Sequence, residues 1–97
     1  MKISIHPGAG QDIEEAAEFY RREGSPALAA KFVAEFKKLA LLLAGNPGIG
    51  SVRSGGRRGL AMHVFPYTVI YRASQESVRI LVVKHDRRRT GFGSSRT

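Results

Sequence analysis

Ninety-seven residues suffice for one small domain with a single hydrophobic core. The hydrophobic fraction of 42% is ordinary for a globular chain, and the absence of cysteine excludes disulfides and thiolate metal sites. No segment has the pattern of a signal peptide or a membrane span. The composition therefore predicts one soluble, cytoplasmic domain over residues 1–97, without membrane association.

The charge is concentrated in the second half of the chain. Residues 1–50 carry six basic and six acidic side chains, whereas residues 51–97 carry ten basic side chains and only two acidic ones. All of the net charge of +8 therefore lies in residues 51–97. Segregated charge of one sign indicates an anionic partner, either a nucleic acid or an acidic protein segment. The alternative is that the charge serves solubility alone, which does not require segregation.

The first half of the chain predicts one strand and two helices. Alternating polar and apolar residues over Lys2–His6 favour a short strand. Apolar residues spaced three and four apart over Gln11–Glu23 are typical of an amphipathic helix. Ser25 and Pro26 are a favoured N-cap and first helical residue, and they begin a second helix that Gly45 ends. Because so few residues separate the helices, we expect them to form an antiparallel hairpin.

The second half predicts a loop and three strands. Residues 46–59 include five glycines and little that can pack, so we expect a loop. β-Branched and aromatic residues predict strands over Leu60–Val64, Tyr67–Arg72 and Ser77–Lys84. The last of these strands is apolar on both faces, which is typical of the interior of a sheet. Residues 86–97 are polar, glycine-rich and basic, and they predict a basic tail.

The predicted order of elements is β-α-α-β-β-β. This order favours the α+β class, with a helical hairpin packed on one face of a mostly antiparallel four-stranded sheet. Helices then cover only one face of the sheet. We expect the other face, and the groove beside the glycine-rich loop, to be left for a partner.

This order of elements and the residues within it resemble the ParE/RelE superfamily of toxins from bacterial type II toxin–antitoxin modules. The resemblance extends over nearly the whole chain, and it is the ordered set of matches, rather than any one of them, that is specific. The matching residues are Asp12, Ala16, Ala17, Phe19, Tyr20, Phe32, Asn46, Pro47, Gly50, Arg58, Leu60, Phe65, Pro66, Tyr67, Ile70, Tyr71, Ile80, Leu81, His85 and Arg88.

The resemblance implies one of two activities. RelE-like members cut messenger RNA in the ribosome, whereas ParE-like members bind DNA gyrase and block it. In both branches a cognate antitoxin wraps the toxin and neutralises it, which implies a toxin–antitoxin hetero-oligomer. We expect a ParD-like antitoxin with an acidic or amphipathic segment that folds on binding, because the toxin surface is basic and part of its sheet is uncovered.

The residues that RelE-like cleavage requires are only partly present. Attack of a 2′-hydroxyl on the adjacent phosphate needs a base, cations and an acid. The resemblance assigns these roles to lysines after the second helix, arginines on the sheet, and a tyrosine or histidine near the C-terminus. Arg57 or Arg58 and Arg88 match the arginine positions. Residues 39–83 contain no lysine, and Phe92, which cannot exchange a proton, stands where the tyrosine is expected.

The three histidines show no spacing typical of metal ligands, so no metal or other cofactor is expected. His63 alternates away from the apolar face of its predicted strand, so we expect it on the non-helical side of the sheet, where it is a candidate acid or base. His85 precedes Asp86 at a strand exit. It is either a second candidate acid or base or, as we prefer, a structural residue that orders the exit. His6 lies at a strand end and is interpreted as incidental.

The arginines and one aromatic residue supply the candidate binding site. We expect Arg57, Arg58 and Arg72 on the margins of the sheet, and Arg87, Arg88 and Phe92 after its last strand, to contact the target or the antitoxin. Arg88 is the preferred member of its run because it follows His85 at the spacing typical of the family. The alternative for Arg88 is a structural ion pair with a carboxylate of the first helix.

The leading hypothesis is a ParE-like toxin, a non-enzymatic inhibitor of DNA gyrase that a cognate antitoxin neutralises. Its rival is a RelE-like, ribosome-dependent ribonuclease that uses Arg58, Arg88 and either His63 or His85. A third possibility is a toxin that has lost its activity and retains only antitoxin binding. In the sequence, only the missing lysines and the missing tyrosine favour gyrase over messenger RNA. The positions of the candidate residues in the folded chain provide a further test.

Overall fold

The computed structural model describes all 97 residues as two helices packed on a five-stranded sheet. In chain order the elements are β1 (Lys2–Ile5), α1 (Pro7–Glu23), α2 (Pro26–Gly45), β2 (Ser51–Arg53), β3 (Arg57–Ala61), β4 (Tyr67–Ala73) and β5 (Ser77–His85). The strands lie in the order β1-β5-β4-β3-β2. The predicted α+β class, with a helical hairpin on one face of a mostly antiparallel sheet, is confirmed.

Helix α1 begins four residues earlier than the sequence pattern predicts. Pro7 occupies the first turn, where its missing N–H costs nothing, and the Nδ1 atom of His6 accepts a hydrogen bond from the N–H of Gly8 at 2.9 Å. A histidine cap is not among the usual cap residues, which is why the pattern does not reveal it. His6 therefore has a structural role at the start of α1.

Helix α2 follows its predicted signals closely. The Ser25 hydroxyl accepts from the N–H of Leu28 at 3.0 Å, and Asn46 ends the helix by donating its backbone N–H to two carbonyls of the last turn. The apolar stripe buries Phe32, Phe36 and Leu43 against the sheet. Neither helix combines the length and the apolar character needed to cross a membrane.

The sheet has five strands rather than the predicted four, because the glycine-rich segment contains a hairpin. Strand β2 pairs antiparallel with β3 across a turn at Ser54–Gly56, in which Gly55 and Gly56 both have φ near 72°. Positive φ at these positions closes a tight hairpin at no steric cost to glycine. The expectation of a loop over residues 46–59 was therefore wrong for its second part, and β3 begins at Arg57 instead of Leu60.

A register irregularity between β4 and β5 redistributes the apolar residues of β5. Ile70 lies opposite Val82, whereas Tyr71 lies opposite Ile80, so Leu81 is an extra residue on β5. As a result Val82 shares the outer face with Leu81, and Val83 turns toward the helices. Strict alternation along β5 would place Val82 on the same face as Ile80, and the extra residue is the reason that it does not. The interior position of β5, between β1 and β4, is confirmed.

The face of the sheet opposite the helices is not left entirely open. Residues 86–97, predicted as a basic tail and called here the C-terminal strap, run back across this face. Phe92 packs on Ile70, Leu81 and Val82, all of which are buried. The expectation of an uncovered apolar face was therefore wrong for this part of the sheet, because the strap supplies the cover.

Candidate functional site

The guanidinium of Arg57 fixes the C-terminal strap to the sheet. It donates hydrogen bonds to the carbonyl oxygens of Gly93, Ser94 and Arg96, at 3.2, 3.0 and 2.6 Å. Burial lowers the pKa of the Arg57 guanidinium, and the positive charges of Arg72 and Arg96 lower it further. Arg57 is thus a structural residue as well as a candidate for contact with a partner.

Arg58 and Arg72 likewise hold neighbouring backbone. Arg58 donates from Nη1 to the carbonyl oxygens of Gly48 and Gly50, at 3.2 and 2.9 Å. Arg72 donates from Nη2 to the carbonyl oxygen of Gly55 at 2.8 Å, which fixes the turn between β2 and β3. Neither arginine forms an ion pair with a side-chain carboxylate of the chain.

The ion pair that the sequence suggests for Arg88 is made by Arg96 instead. Nη1 of Arg96 lies 2.6 Å from Oδ2 of Asp12 in α1, and it also donates to the carbonyl of Leu81 at 3.1 Å. The same carboxylate oxygen accepts the N–H of Val83 at 3.0 Å. Strand β1 pairs with β5 only as far as Ile80, so Asp12 and Arg96 satisfy the strand edge that β1 leaves open.

A cavity of about 350 Å³ opens between α1 and the end of β5. Its lining includes Glu15, Phe19, Tyr67, His85, Arg88 and Phe92. The Arg88 guanidinium lies over the Phe92 ring at 4.1 Å from its centroid, a cation–π contact. The Nδ1 atom of His85 accepts the N–H of Arg87 at 3.0 Å, and its ring meets the edge of Tyr67.

The Tyr67 hydroxyl is held in its neutral form. Burial raises the pKa of Tyr67, nearby Tyr20 raises it further, and Arg88 opposes both effects. A phenol with a raised pKa is a poor general base at neutral pH. The cavity beside α1 thus combines an uncharged hydroxyl, a histidine that accepts a backbone hydrogen bond, and exposed arginines.

His63 lies on a different side of the molecule from the one expected. It follows the end of β3 and lines a groove of about 900 Å³ against α2, so the prediction that it faces the non-helical side was wrong. The reason is that β3 ends at Ala61, after which strand alternation no longer applies. Oε1 of Glu35 accepts the N–H groups of His63 and Val64, at 3.0 and 2.8 Å, and thereby fixes the turn to α2.

The four side chains proposed for ribonuclease chemistry do not converge. Arg58 lies opposite Tyr71 on β4, and His85 lies opposite Tyr67, four residues away along the same strand. At about 3.3 Å per residue, the two levels are roughly 13 Å apart. His63 lines the groove beside α2, whereas His85 and Arg88 line the cavity beside α1. The rival ribonuclease needs only one of the two histidines, and His85 is the one that shares a cavity with Arg88, but Arg58 lies at a level of the sheet roughly 13 Å from His85.

Comparisons with known proteins agree with this architecture. A family model described as the ParE toxin of a type II toxin–antitoxin system, parDE, matches residues 3–90. The chain is therefore a toxin of the type II toxin–antitoxin class. It belongs to the ParE toxin family.

A solved structure of a chromosomal ParDE toxin–antitoxin system from P. aeruginosa has the same fold. It matches with a TM-score of 0.77 at 22% sequence identity, and the match covers 88% of this chain and 95% of that one. No match is found among curated protein sequences.

Proposed function

We propose that this chain inhibits DNA gyrase in the cytoplasm without catalysing a reaction, and that a ParD-like antitoxin neutralises it by forming a hetero-oligomer. Membership of the ParE family supports the module and the partner. The separation of Arg58 from His85 and Arg88, together with the position of His63 on another surface, supports binding over RNA cleavage.

The target is tested with purified gyrase and relaxed plasmid. We expect the toxin to inhibit supercoiling in proportion to its concentration. The same preparation added to translating ribosomes should leave messenger RNA intact. Full gyrase activity at high toxin concentration would contradict the proposal, and new cuts in messenger RNA that disappear on Arg88→Ala would support the ribonuclease instead.

The antitoxin has a suitable docking groove beside α2. Leu41 is 71% exposed and Val64 is 55% exposed, and both line the groove together with Leu42 and the end of β3. Exposed apolar side chains this close together are typical of an interaction surface. A groove of about 900 Å³ next to a helix suits an amphipathic segment that docks by its apolar face.

The charge around the groove indicates the character of the antitoxin segment. Glu35 accepts two backbone N–H groups of the neighbouring turn, so its negative charge is already partnered within the chain. Lys31 and Lys38 also line the groove and form no ion pair. We therefore expect acidic residues to flank the apolar face of the bound segment, and we expect binding to weaken with salt.

Groove docking is tested by Leu41→Asp, with Val52→Asp as the matched control. Val52 is 76% exposed on the edge strand β2 and lies away from the groove. Since Leu41 is also exposed, both changes place a carboxylate on the surface, but only Leu41→Asp places it in the groove. Burying a leucine contributes about 2 kcal/mol, so Leu41→Asp should weaken antitoxin binding about 30-fold or more. Equal affinities for the two variants in calorimetry would place the antitoxin elsewhere.

A further inference from the structure

Four arginines form a row across the outer face of the sheet. Arg53 on β2 pairs in register with Arg57 on β3, and Arg72 on β4 pairs in register with Arg79 on β5. Arg58 on β3 pairs with Tyr71 on β4, so the next residue along each antiparallel strand places Arg57 opposite Arg72. We call Arg53, Arg57, Arg72 and Arg79 the arginine row. It crosses four adjacent strands with one guanidinium from each.

No side-chain carboxylate of the chain pairs with this row. The only ion pairs in the structure are Arg21 with Glu18 and Arg96 with Asp12, and neither involves a member of the row. Of the two acidic residues in the second half of the chain, Asp86 accepts the hydroxyl of Thr68 and Glu76 lies in the turn between β4 and β5. Like charges directly opposite each other destabilise a sheet, so the row is costly unless an anion binds it.

Within the row Arg53 is exposed, whereas Arg57, Arg72 and Arg79 are half-buried. Arg79 donates to a terminal oxygen of Thr97, the last residue, at 3.0 Å and to the hydroxyl of Ser4, and Arg57 donates to three strap carbonyls. Arg53 lies flat over Gly59, where any side chain would displace it. Each guanidinium carries five N–H donors, and the contacts within the chain leave some of these donors free for an external acceptor.

The dimensions and chemistry of the row fit the phosphates of a nucleic acid. Strands lie about 4.8 Å apart, so four guanidiniums span roughly 15 Å. Phosphates along one strand of a duplex rise about 3.4 Å each, so the row extends beside several of them. Planar guanidinium groups suit phosphate oxygens better than a point charge does.

The same face favours a duplex over a single strand. Proteins that bind single strands stack bases on exposed aromatic rings. Here Phe65, Tyr67 and Tyr71 are buried among the helices, and Phe92 is covered by the guanidiniums of Arg88 and Arg96. We propose that the arginine row binds the phosphate backbone of double-stranded DNA, independently of base sequence. This site does not depend on gyrase being the target, since it requires only the toxin and a duplex.

The proposal is tested by fluorescence anisotropy of a short labelled duplex of arbitrary sequence, with toxin alone and neither gyrase nor antitoxin present. If the row contacts four phosphates, a plot of the logarithm of the association constant against the logarithm of salt concentration should fall with a slope of about 3.6. Between about 50 and 200 mM salt this corresponds to a loss of affinity of roughly 150-fold. A salt-independent affinity, or no binding at the lower concentration, would overturn the proposal.

The variant that tests the row is the triple change Arg53→Gln, Arg72→Gln and Arg79→Gln, which leaves Arg57 to hold the strap. The slope should become shallower by about 2.7, and affinity near 0.1 M salt should fall by about 500-fold. The matched control removes three exposed charges from the helices, by Arg22→Gln, Lys31→Gln and Lys37→Gln. It changes the net charge equally, so a comparable loss in the control would overturn the site.

Three further measurements test alternative explanations: a loss of folding in the glutamine variant, a preference for single strands, and a preference for acidic peptides. Replacement of the same three arginines by lysine keeps the charge, so it should preserve most of the salt slope even if the glutamine variant is less stable. Loss of the slope in the lysine variant would overturn phosphate contact. Tighter binding of a single strand than of the duplex would overturn the duplex assignment. So would polyglutamate binding that is as tight as duplex binding in the parent and is lost in the glutamine variant.

Discussion

Removal of Arg96 is expected to reveal how much the C-terminal strap contributes to the stability of the sheet. The side chains of Asp12 and Arg96 are only 6% and 17% exposed, and their closest atoms are 2.6 Å apart. In Arg96→Met the carboxylate keeps the N–H of Val83 but loses its only cation. Removing one partner of a buried ion pair costs about 3–5 kcal/mol, and the partial exposure of Arg96 favours the lower end.

The expected loss is therefore about 3 kcal/mol, and part of the strap should detach from the outer face. For a domain of this size each kcal/mol shifts the Tm by about 4–8 °C, so Arg96→Met should lower the Tm by roughly 12–24 °C. Calorimetry or circular dichroism measures this change. The control is Arg21→Met, which removes an exposed pair with Glu18 and should leave the Tm unchanged within error. Equal Tm values for the two variants would refute this role of Asp12 and Arg96.

Three other substitutions or conditions test the packing around the site. Tyr71→Phe removes a buried hydroxyl that donates to a loop carbonyl at 2.8 Å and accepts a loop N–H. The free energy of unfolding, measured with denaturant, should therefore fall by about 1–3 kcal/mol. An unchanged denaturation midpoint would contradict this. Gly93→Ala should lower the Tm, because Gly93 has φ near 76° and an added Cβ would lie 2.5 Å from a valine methyl of β5. The control is Gly91→Ala, which has more space for a Cβ and should leave the Tm unchanged. Burial raises the pKa of both Tyr20 and Tyr67. As pH rises, the tyrosine hydroxyls therefore lose their protons in the unfolded chain before they do so in the folded one. The free energy of unfolding should fall as pH rises above about 10, and it should fall less when Tyr20 and Tyr67 are both replaced by phenylalanine.

Local sequence signals are sufficient for the helices and most of the sheet. Ser25 and Pro26 mark the start of α2 because capping depends only on neighbouring residues. The interior position of β5 follows from its two apolar faces. Strand β2 escapes prediction because three exposed residues carry no alternating pattern, although the two glycines of its turn are a signal for a hairpin.

The candidate site is less predictable, because its contacts join distant parts of the chain. Arg57 and Arg58 are recognisable as functional candidates, but their hydrogen bonds to carbonyls of the strap and loop cannot be deduced from periodicity. Asp12 matches the family pattern, yet its pairing with Arg96 spans 84 positions and leaves no local signal. The extra residue at Leu81 also escapes prediction, because a bulge is set by the pairing of two strands rather than by either one.

Gyrase supercoiling in the presence of the antitoxin tests the central claim most directly. Three reactions are compared: parent toxin alone, parent toxin with an excess of antitoxin, and Leu41→Asp toxin with the same excess. We expect inhibition in the first, full supercoiling in the second, and inhibition again in the third, because the groove variant should inhibit gyrase but resist neutralisation. Normal supercoiling in the first reaction, with gyrase unaffected by the toxin, would contradict the proposed function.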